Sequence, residues 1–406
     1  MPPDCPVPSF LVRQALLDSQ YRVAGYDLRL GNQQPIPVLP GAGSISQVRD
    51  EALLTHVADM EKQGVLSGKV LVLNLSSQVA DNPMLFQMPP GKIMVPFAIE
   101  LAFDPSSALT MQQAGIQPLL ADDGHALDLL PAGCSAVRLD VSASDALAMA
   151  RRVERYRQLG AKCLVACNVD SEEAFEAGAK LGFDLFQGDF LIHPGRTHTA
   201  RLDAGVMRVM ALLNKARAHA PLEELETGFK QDAALSYRLL RYINSPANGL
   251  RQPVQSLGQA LMWFGYEPLY RWLSLLLFSA TSSGRRSDAL LRNALIRARF
   301  MEQLGGDRLD ASIRGGLFIV GVLSLIDSLL NRTMTEALEP LHLPGAMSDA
   351  LIEGTGPYAP YLALCKASEQ FDQETISSIA MQNGFSADEV NLAHVNALIW
   401  SETLDK

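Results

Sequence analysis

The sequence predicts an α/β class followed by an all-α class in one chain. A shortened (β/α) barrel of the TIM type covers residues 1–200, and an all-helical domain covers residues 201–406. Three observations carry this. Between residue 20 and about residue 190, apolar runs of strand length alternate with amphipathic stretches, the order that builds parallel strands joined by crossover helices. From about residue 203 onward only helical periodicity is left. The polar residues of the first part gather at the C-terminal ends of its strands, at Asp27, Asn74, Glu100, Asp122 with Asp123, Asp170 and Gln187, which is where a closed barrel collects its site.

Taken in order, YRVAGYDLRLG (21–31) reads as a strand that reaches Asp27. KVLVLNLS (69–76), KIMVPFAIE (92–100), QPLLADD (117–123), AVRLDV (136–141), KCLVACNV (162–169) and FDLFQG (183–188) follow it. Strands this continuously apolar are covered on both faces. Between them, SQVRDEALLTHVADMEKQG and SASDALAMARRVERYRQLG have helical spacing, with Ser or Asp where an N-cap belongs. HPGRTHTAR (193–201) ends the strand signal. Two separate hydrophobic cores are expected on either side of it, with the first proteolytic cut between residues 194 and 203. The helices beyond are divided at NSPANGLRQP (244–253), SSGRR (282–286), GGD (305–307), LPG (343–345) and GTGPYAP (354–360).

The composition narrows the functional classes. Apolar residues make up 48% of the chain and charged ones 19%, a globular balance. The net charge of -10 argues against a general nucleic-acid role. The apolar stretches GGLFIVGVLSLI and WLSLLLFSA are too short to span a bilayer and read as buried core helices. MPPDCPVPSFLVRQ has neither a basic n-region nor an apolar h-region, so the expected location is the cytoplasm. The five cysteines, an odd number without a C-x-x-C, suit a reducing compartment. Cys163 and Cys167 would lie about 13 Å apart along one strand face, too far to share a metal ion.

VRQALLDSQYRVAGYDL, VLNLS, IEL, ADD, VRLD, ACNVD and LFQGDF follow one another in an order and spacing that resembles the EAL domain. Active members of that family are (β/α) barrels that hydrolyse cyclic di-GMP with two divalent metal ions. The resemblance spans nearly the whole first half, in shortened form. It implies that Asp27 stands at the signature Glu, that Asn74, Glu100 and Asp122 stand at further metal-ligand positions, and that Asp123 stands beside them. It also implies losses. Gly31 stands where the family has an Arg that contacts the ligand's phosphate, Arg138 where it has a catalytic Lys, and Cys167 where it has a general-base Glu. DDGHALDLL replaces the loop that shapes the dimetal centre.

Such a site needs several oxygen ligands around two hard cations and a base for the attacking water. Arg138 stays charged and cannot act as a titratable amine, and loss of a general base alone costs roughly 10²- to 10⁴-fold. On this reading Asp27, Asn74, Glu100, Asp122 and Asp123 are vestigial, acting as strand-end hydrogen-bond acceptors. No catalytic or cofactor-binding residue is assigned, Mg²⁺ or Mn²⁺ binds weakly at best, and cyclic di-GMP is not expected as a ligand. His125, His193 and His198 fall in loops without metal-ligand spacing and read as solvated.

In the second half, QDAAL, YRLLRYINSPANG and SLGQALMWFG are similar to the core of the HDOD domain, a relative of the HD phosphohydrolases found in bacterial signalling proteins. Ala233 replaces the usual Pro of its D-P-x-L element. GGLFIVGVLSLIDSLLN resembles the later helix seen when HDOD follows an EAL-like domain. No histidine lies between His219 and His342 and no His-Asp dipeptide occurs, so a metal centre of the HD type is excluded on inventory. GRRSDALLRNALIRARF places Arg285, Arg292 and Arg299 every seven residues, roughly along one helical stripe. That stripe reads as a solvated face or, alternatively, a partner surface. Trp263, Tyr270 and Trp272 read as core packing.

Together these readings predict a cytoplasmic bacterial signalling protein without catalytic activity, acting through protein partners and not through nucleic acid or membrane insertion. The alternatives are a cyclic di-GMP phosphodiesterase with an unusual site and a non-hydrolysing cyclic di-GMP sensor using the same pocket.

Overall fold

The computed structural model describes residues 9–31, 43–64, 68–75, 84–85, 91–98, 111–113, 115–122, 128–131, 133–142, 145–193, 202–245, 248, 252–280 and 284–403. Its first part is an antiparallel hairpin followed by parallel strands. β1 (Leu11–Asp18) pairs with β2 (Val23–Leu30), Gln14 opposite Asp27. The turn closes through Asp18 N–H to the Arg22 carbonyl at 2.9 Å and Tyr21 N–H to the Asp18 carbonyl at 3.0 Å. β3 (Val70–Leu73), β4 (Ile93–Ala98), β5 (Ile116–Asp122), β6 (Ala136–Asp140), β7 (Cys163–Cys167) and β8 (Leu185–Phe186) continue in parallel. β8 then pairs antiparallel with β1, which closes an eight-stranded barrel. The predicted class, a closed barrel followed by an all-helical region, is borne out. The expected parallel order is corrected at β1, which was not among the predicted strands.

Three described helices pack on the barrel: α1 (Gly43–Lys62), α2 (Ala146–Gln158) and α3 (Glu172–Leu181). Asp145 caps α2 by accepting from Ala148 N–H, and Ser171 caps α3 by accepting from Ala174 N–H. Each cap satisfies an otherwise orphaned donor, typically stabilising by about 1 kcal/mol. Inside the barrel, Leu16, Val72, Met94, Leu119, Ala136, Val165 and Leu185 form an apolar plug. The polar side chains stand above it, toward the C-terminal strand ends.

The helical part runs α4 (Ala204–Arg217), α5 (Leu222–Lys230), α6 (Ala233–Ile243), α7 (Leu257–Phe264), α8 (Tyr266–Ala280), α9 (Arg285–Gly305) and α10 (Ala311–Leu323). It continues through the short α11 (Ile326–Leu330), α12 (Met334–Leu338) and α13 (Gly345–Ser348) to α14 (Ala359–Glu369), α15 (Gln373–Asn383) and α16 (Ala387–Thr403). α10 crosses α9 closely at Gly321, where any Cβ would lie 2.4 Å from the Ala298 Cα. Ile313–Leu330 is apolar enough by composition to span a membrane, but it is broken at Ser324 and Leu325, and 72% of it is buried within the fold.

The outward face of β1 is covered by α9, α14 and α16. Arg13, only 2% exposed, donates to Asn293 at 3.3 Å and pairs with Glu369 at 3.4 Å. Glu369 also receives Arg297, at 2.5 to 3.1 Å. Leu11 N–H donates to Asn391 Oδ1 at 2.7 Å, and Gln373 donates to the Phe10 carbonyl at 2.8 Å. Glu402 ties α16 to the barrel through Tyr26 at 2.9 Å and Lys69 at 3.8 Å, and to α9 through Arg292 at 2.7 Å. The buried apolar cluster runs without interruption through both parts. The expectation of two separate cores is therefore corrected.

The arginines of the stripe have contacts within the chain. Arg292 is occupied by Glu402, Arg299 by Glu302 at 2.7 Å and by the Trp400 ring, and Arg285 by Gln20 of the barrel hairpin. α9 is a helix on which the two halves meet; Arg292 is largely covered there, Arg299 is partly covered and Arg285 is exposed. Of the three aromatic residues read as core, Trp272 is buried, Tyr270 is partly buried and Trp263 is 47% exposed.

Candidate ligand site at the barrel mouth

Asp27 is the centre of the polar layer. Its carboxylate has no exposed surface and accepts five hydrogen bonds from four side chains. Arg29 donates through Nε at 3.2 Å and through its terminal nitrogen at 3.1 Å, and Asn74 donates at 2.7 Å. Arg138 donates at 3.3 Å and Gln187 at 2.8 Å. β2 and β6 are not neighbours in the barrel, so the Asp27–Arg138 contact crosses its interior. The parity of the strands explains the convergence. In the parallel part, Asp27 lies in register with Val72, and Arg138 with Val165, both residues of the interior plug.

The other groups at this level are Gln14, Asp140, Cys167 and Asp189. Burial alone would push the Arg138 guanidinium down, but Asp27, Cys167 and Asp140 together hold it above its ordinary value. Burial pushes the Cys167 thiol up, against the pull of Arg138, and its Sγ lies 3.4 Å from the Leu139 carbonyl. Burial also raises Asp189, which accepts from Gln14 at 3.0 Å and lies 3.9 Å from His193. Asp140 is held low despite burial by Ser142 and Asn168. Gly31 has φ +73°, and the Arg49 guanidinium lies 3.5 Å from where its Cβ would be. An arginine of α1 thus stands beside the position that lacks one.

The structure brings Asp27 and Asn74 together and separates Asp122 from them. Ala121 is in register with Arg138, so Asp122, one residue on, turns to the opposite face and is gripped by Arg152 of α2 at 2.6 and 3.0 Å. Its expected place at the Asp27 site is corrected on that parity. Glu100, Asp123, His125 and His198 lie outside the described residues. Arg29, Gln14 and Asp189 were missed from the sequence. The signal for Arg29 was its i+2 spacing from Asp27, which places both on one strand face.

No group of three potential metal ligands gathers among the described residues. As folded, the Asp27 cluster does not fit a divalent cation, because two guanidiniums already occupy its carboxylate and a dication would have to displace both like charges.

Residues 201–338 match the HDOD domain. The helical half carries an HDOD domain. Over nearly its whole length the chain is similar to the uncharacterized protein YuxH of Bacillus subtilis (strain 168), 24% identical over 410 residues, covering 97% of this chain and 98% of that protein. It is also similar to the cyclic di-GMP phosphodiesterase CdgJ of Vibrio cholerae serotype O1, 26% identical over 253 residues, which covers 62% of this chain and 58% of that protein. The solved EAL domain of Mycobacterium smegmatis DcpA matches with a TM-score of 0.37 at 16% identity, covering 44% of this chain and 90% of that domain. The expectation of a protein without enzymatic activity is corrected here. CdgJ, similar over 253 aligned residues, is a cyclic di-GMP phosphodiesterase.

Proposed function

We propose that this chain is a cyclic di-GMP signalling protein that takes the dinucleotide at the C-terminal mouth of its barrel. The observation that carries the reading is the convergence of Arg29 and Arg138 on the buried Asp27. Two guanidiniums held in place around one carboxylate form a site at which a second anion can exchange for the first, and planar guanidinium forks suit phosphodiester oxygens. Arg49 beside Gly31 adds a third cation at the same rim. The likeness to CdgJ supports cyclic di-GMP as the ligand, in place of the earlier expectation against it, and supports phosphodiester hydrolysis as the reaction to assay.

In that reaction water oxygen bonds to phosphorus, the bond to the 3′ oxygen breaks, that oxygen takes up a proton from solvent to become a hydroxyl, and the linear dinucleotide leaves. Arg138 stays charged throughout and stabilises charge that develops on the phosphate. Asp189, a carboxyl at the mouth whose affinity for protons burial raises, is placed to accept a proton from water.

The test uses the purified full chain with cyclic di-GMP, with and without Mg²⁺ or Mn²⁺. Binding is followed by calorimetry and linear pGpG by chromatography. Saturable binding that Arg138→Gln weakens by about tenfold or more supports the reading, and release of pGpG in the same samples assigns the hydrolysis. Neither binding nor product overturns it.

A further inference from the structure

The helical half reaches the barrel mouth through the turn between α14 and α15. There Phe371 lays its ring 4.0 Å from the Arg29 guanidinium. Its φ of +58° is in the left-handed region, which residues with a Cβ rarely adopt. The turn is pinned on both sides. Glu369 holds Arg13 and Arg297, and Gln373 donates to the Phe10 carbonyl. The ring is therefore presented from a fixed base, in a backbone conformation that the surrounding contacts must enforce.

Among the described residues, the polar partner of Arg29 is Asp27. A guanidinium at the end of a flexible side chain has many rotamers, and an aromatic face on one side with a carboxylate on the other reduces them to one. We infer that Phe371 is a positioning residue for Arg29, so that the phosphate-binding side of the barrel mouth is completed by the helical half. The inference rests on the reading of the mouth as a cyclic di-GMP site. Its consequence is reciprocal: a ligand that draws Arg29 away from Asp27 must move it along or off the Phe371 ring, so occupancy of the barrel changes a contact of the helical half, and the helical half in turn sets the affinity of the barrel.

The experiment compares the full chain with Phe371→Leu, Phe371→Trp and Arg29→Lys. Calorimetry measures cyclic di-GMP affinity, and ¹⁵N–¹H spectra follow the Arg29 Nε–H resonance, assigned by its loss in Arg29→Lys. Phe371→Leu should weaken binding about three- to tenfold and shift the Arg29 resonance as the ring current is lost. Phe371→Trp should restore affinity to within about twofold. A purely structural role for Phe371 predicts lower stability in urea with unchanged affinity and an Arg29 Nε–H that stays as rigid, by its ¹⁵N relaxation, as in the unmodified chain, and that result overturns the inference. If the unmodified chain does not bind cyclic di-GMP, the proposed ligand fails, and the ¹⁵N relaxation of the Arg29 Nε–H alone decides the positioning role: more mobile in Phe371→Leu it stands, equally rigid it falls.

Discussion

His394 gives the fold a calculable acid sensitivity. It sits on α16, 3% exposed, with Nδ1–H donating to the Leu11 carbonyl at 3.2 Å and its ring edge-on to Phe300. Burial, with the nearby Arg13 charge adding to it, pushes its pKa down from 6.5 to about 3. In the unfolded chain this imidazole takes a proton as the pH falls through 6.5, while in the native state it stays neutral until about 3. The native state is therefore unpenalised above 6.5 and loses about 1.4 kcal/mol per pH unit below it. Between pH 7 and pH 5 the loss is about 2 kcal/mol, and by pH 3 it is about 4 kcal/mol. His394→Gln keeps a donor for the Leu11 carbonyl but cannot titrate. Urea unfolding of both proteins at pH 7 and pH 5 should show the wild type losing about 2 kcal/mol more than the variant over that interval. His56, whose pKa burial also lowers, is common to both and cancels. Equal losses in the two proteins would refute the assignment of a neutral, buried His394.

Two further outcomes test the interface between the halves. Glu369→Ala leaves Arg13 and Arg297 buried without their shared carboxylate, which should cost about 3 to 5 kcal/mol in urea unfolding; a loss under about 1 kcal/mol would mean the pair is hydrated. A chain nicked between residues 194 and 203 should still elute as one particle under native conditions, because one buried cluster serves both halves. Separation into two folded fragments would contradict that.

The barrel was legible wherever a strand's covering is generic. VLVL of β3 and CLVAC of β7 are apolar on both faces because a packed interior and a helix layer ask for nothing more specific. β1 was illegible for the opposite reason. In LVRQALLD the outward position 13 is an Arg, and it is buried only because Asn293 and Glu369, some 280 and 356 residues away, supply its partners. No local pattern carries that information. The same holds for α9, where a seven-residue spacing put Arg285, Arg292 and Arg299 on one stripe but could not say that Gln20, Glu402 and Glu302 meet them. At the site, Asp27 and Asn74 were found from their strand-end positions. Asp122 was misplaced because a single step along a strand exchanges inside for outside. Arg29 was illegible because an arginine on a strand-end reads equally as a solvated rim residue, and its partner Phe371 lies in the distant helical half.

The bonds from Leu11 to Asn391 and His394 also order events during synthesis. Asn391 follows Leu11 by 380 residues, which at roughly 5 to 20 residues per second is a delay of about 20 to 80 seconds. Throughout that time the outer face of β1 has been made but its cover has not, and Phe10, Leu11 and the Arg13 stem stand open to water or to a holding chaperone. A barrel whose hairpin waits for α16 cannot finish folding on the ribosome as its strands appear. A ribosome stalled short of α16 should therefore carry a protease-sensitive, aggregation-prone first half, even with every strand of the barrel already translated.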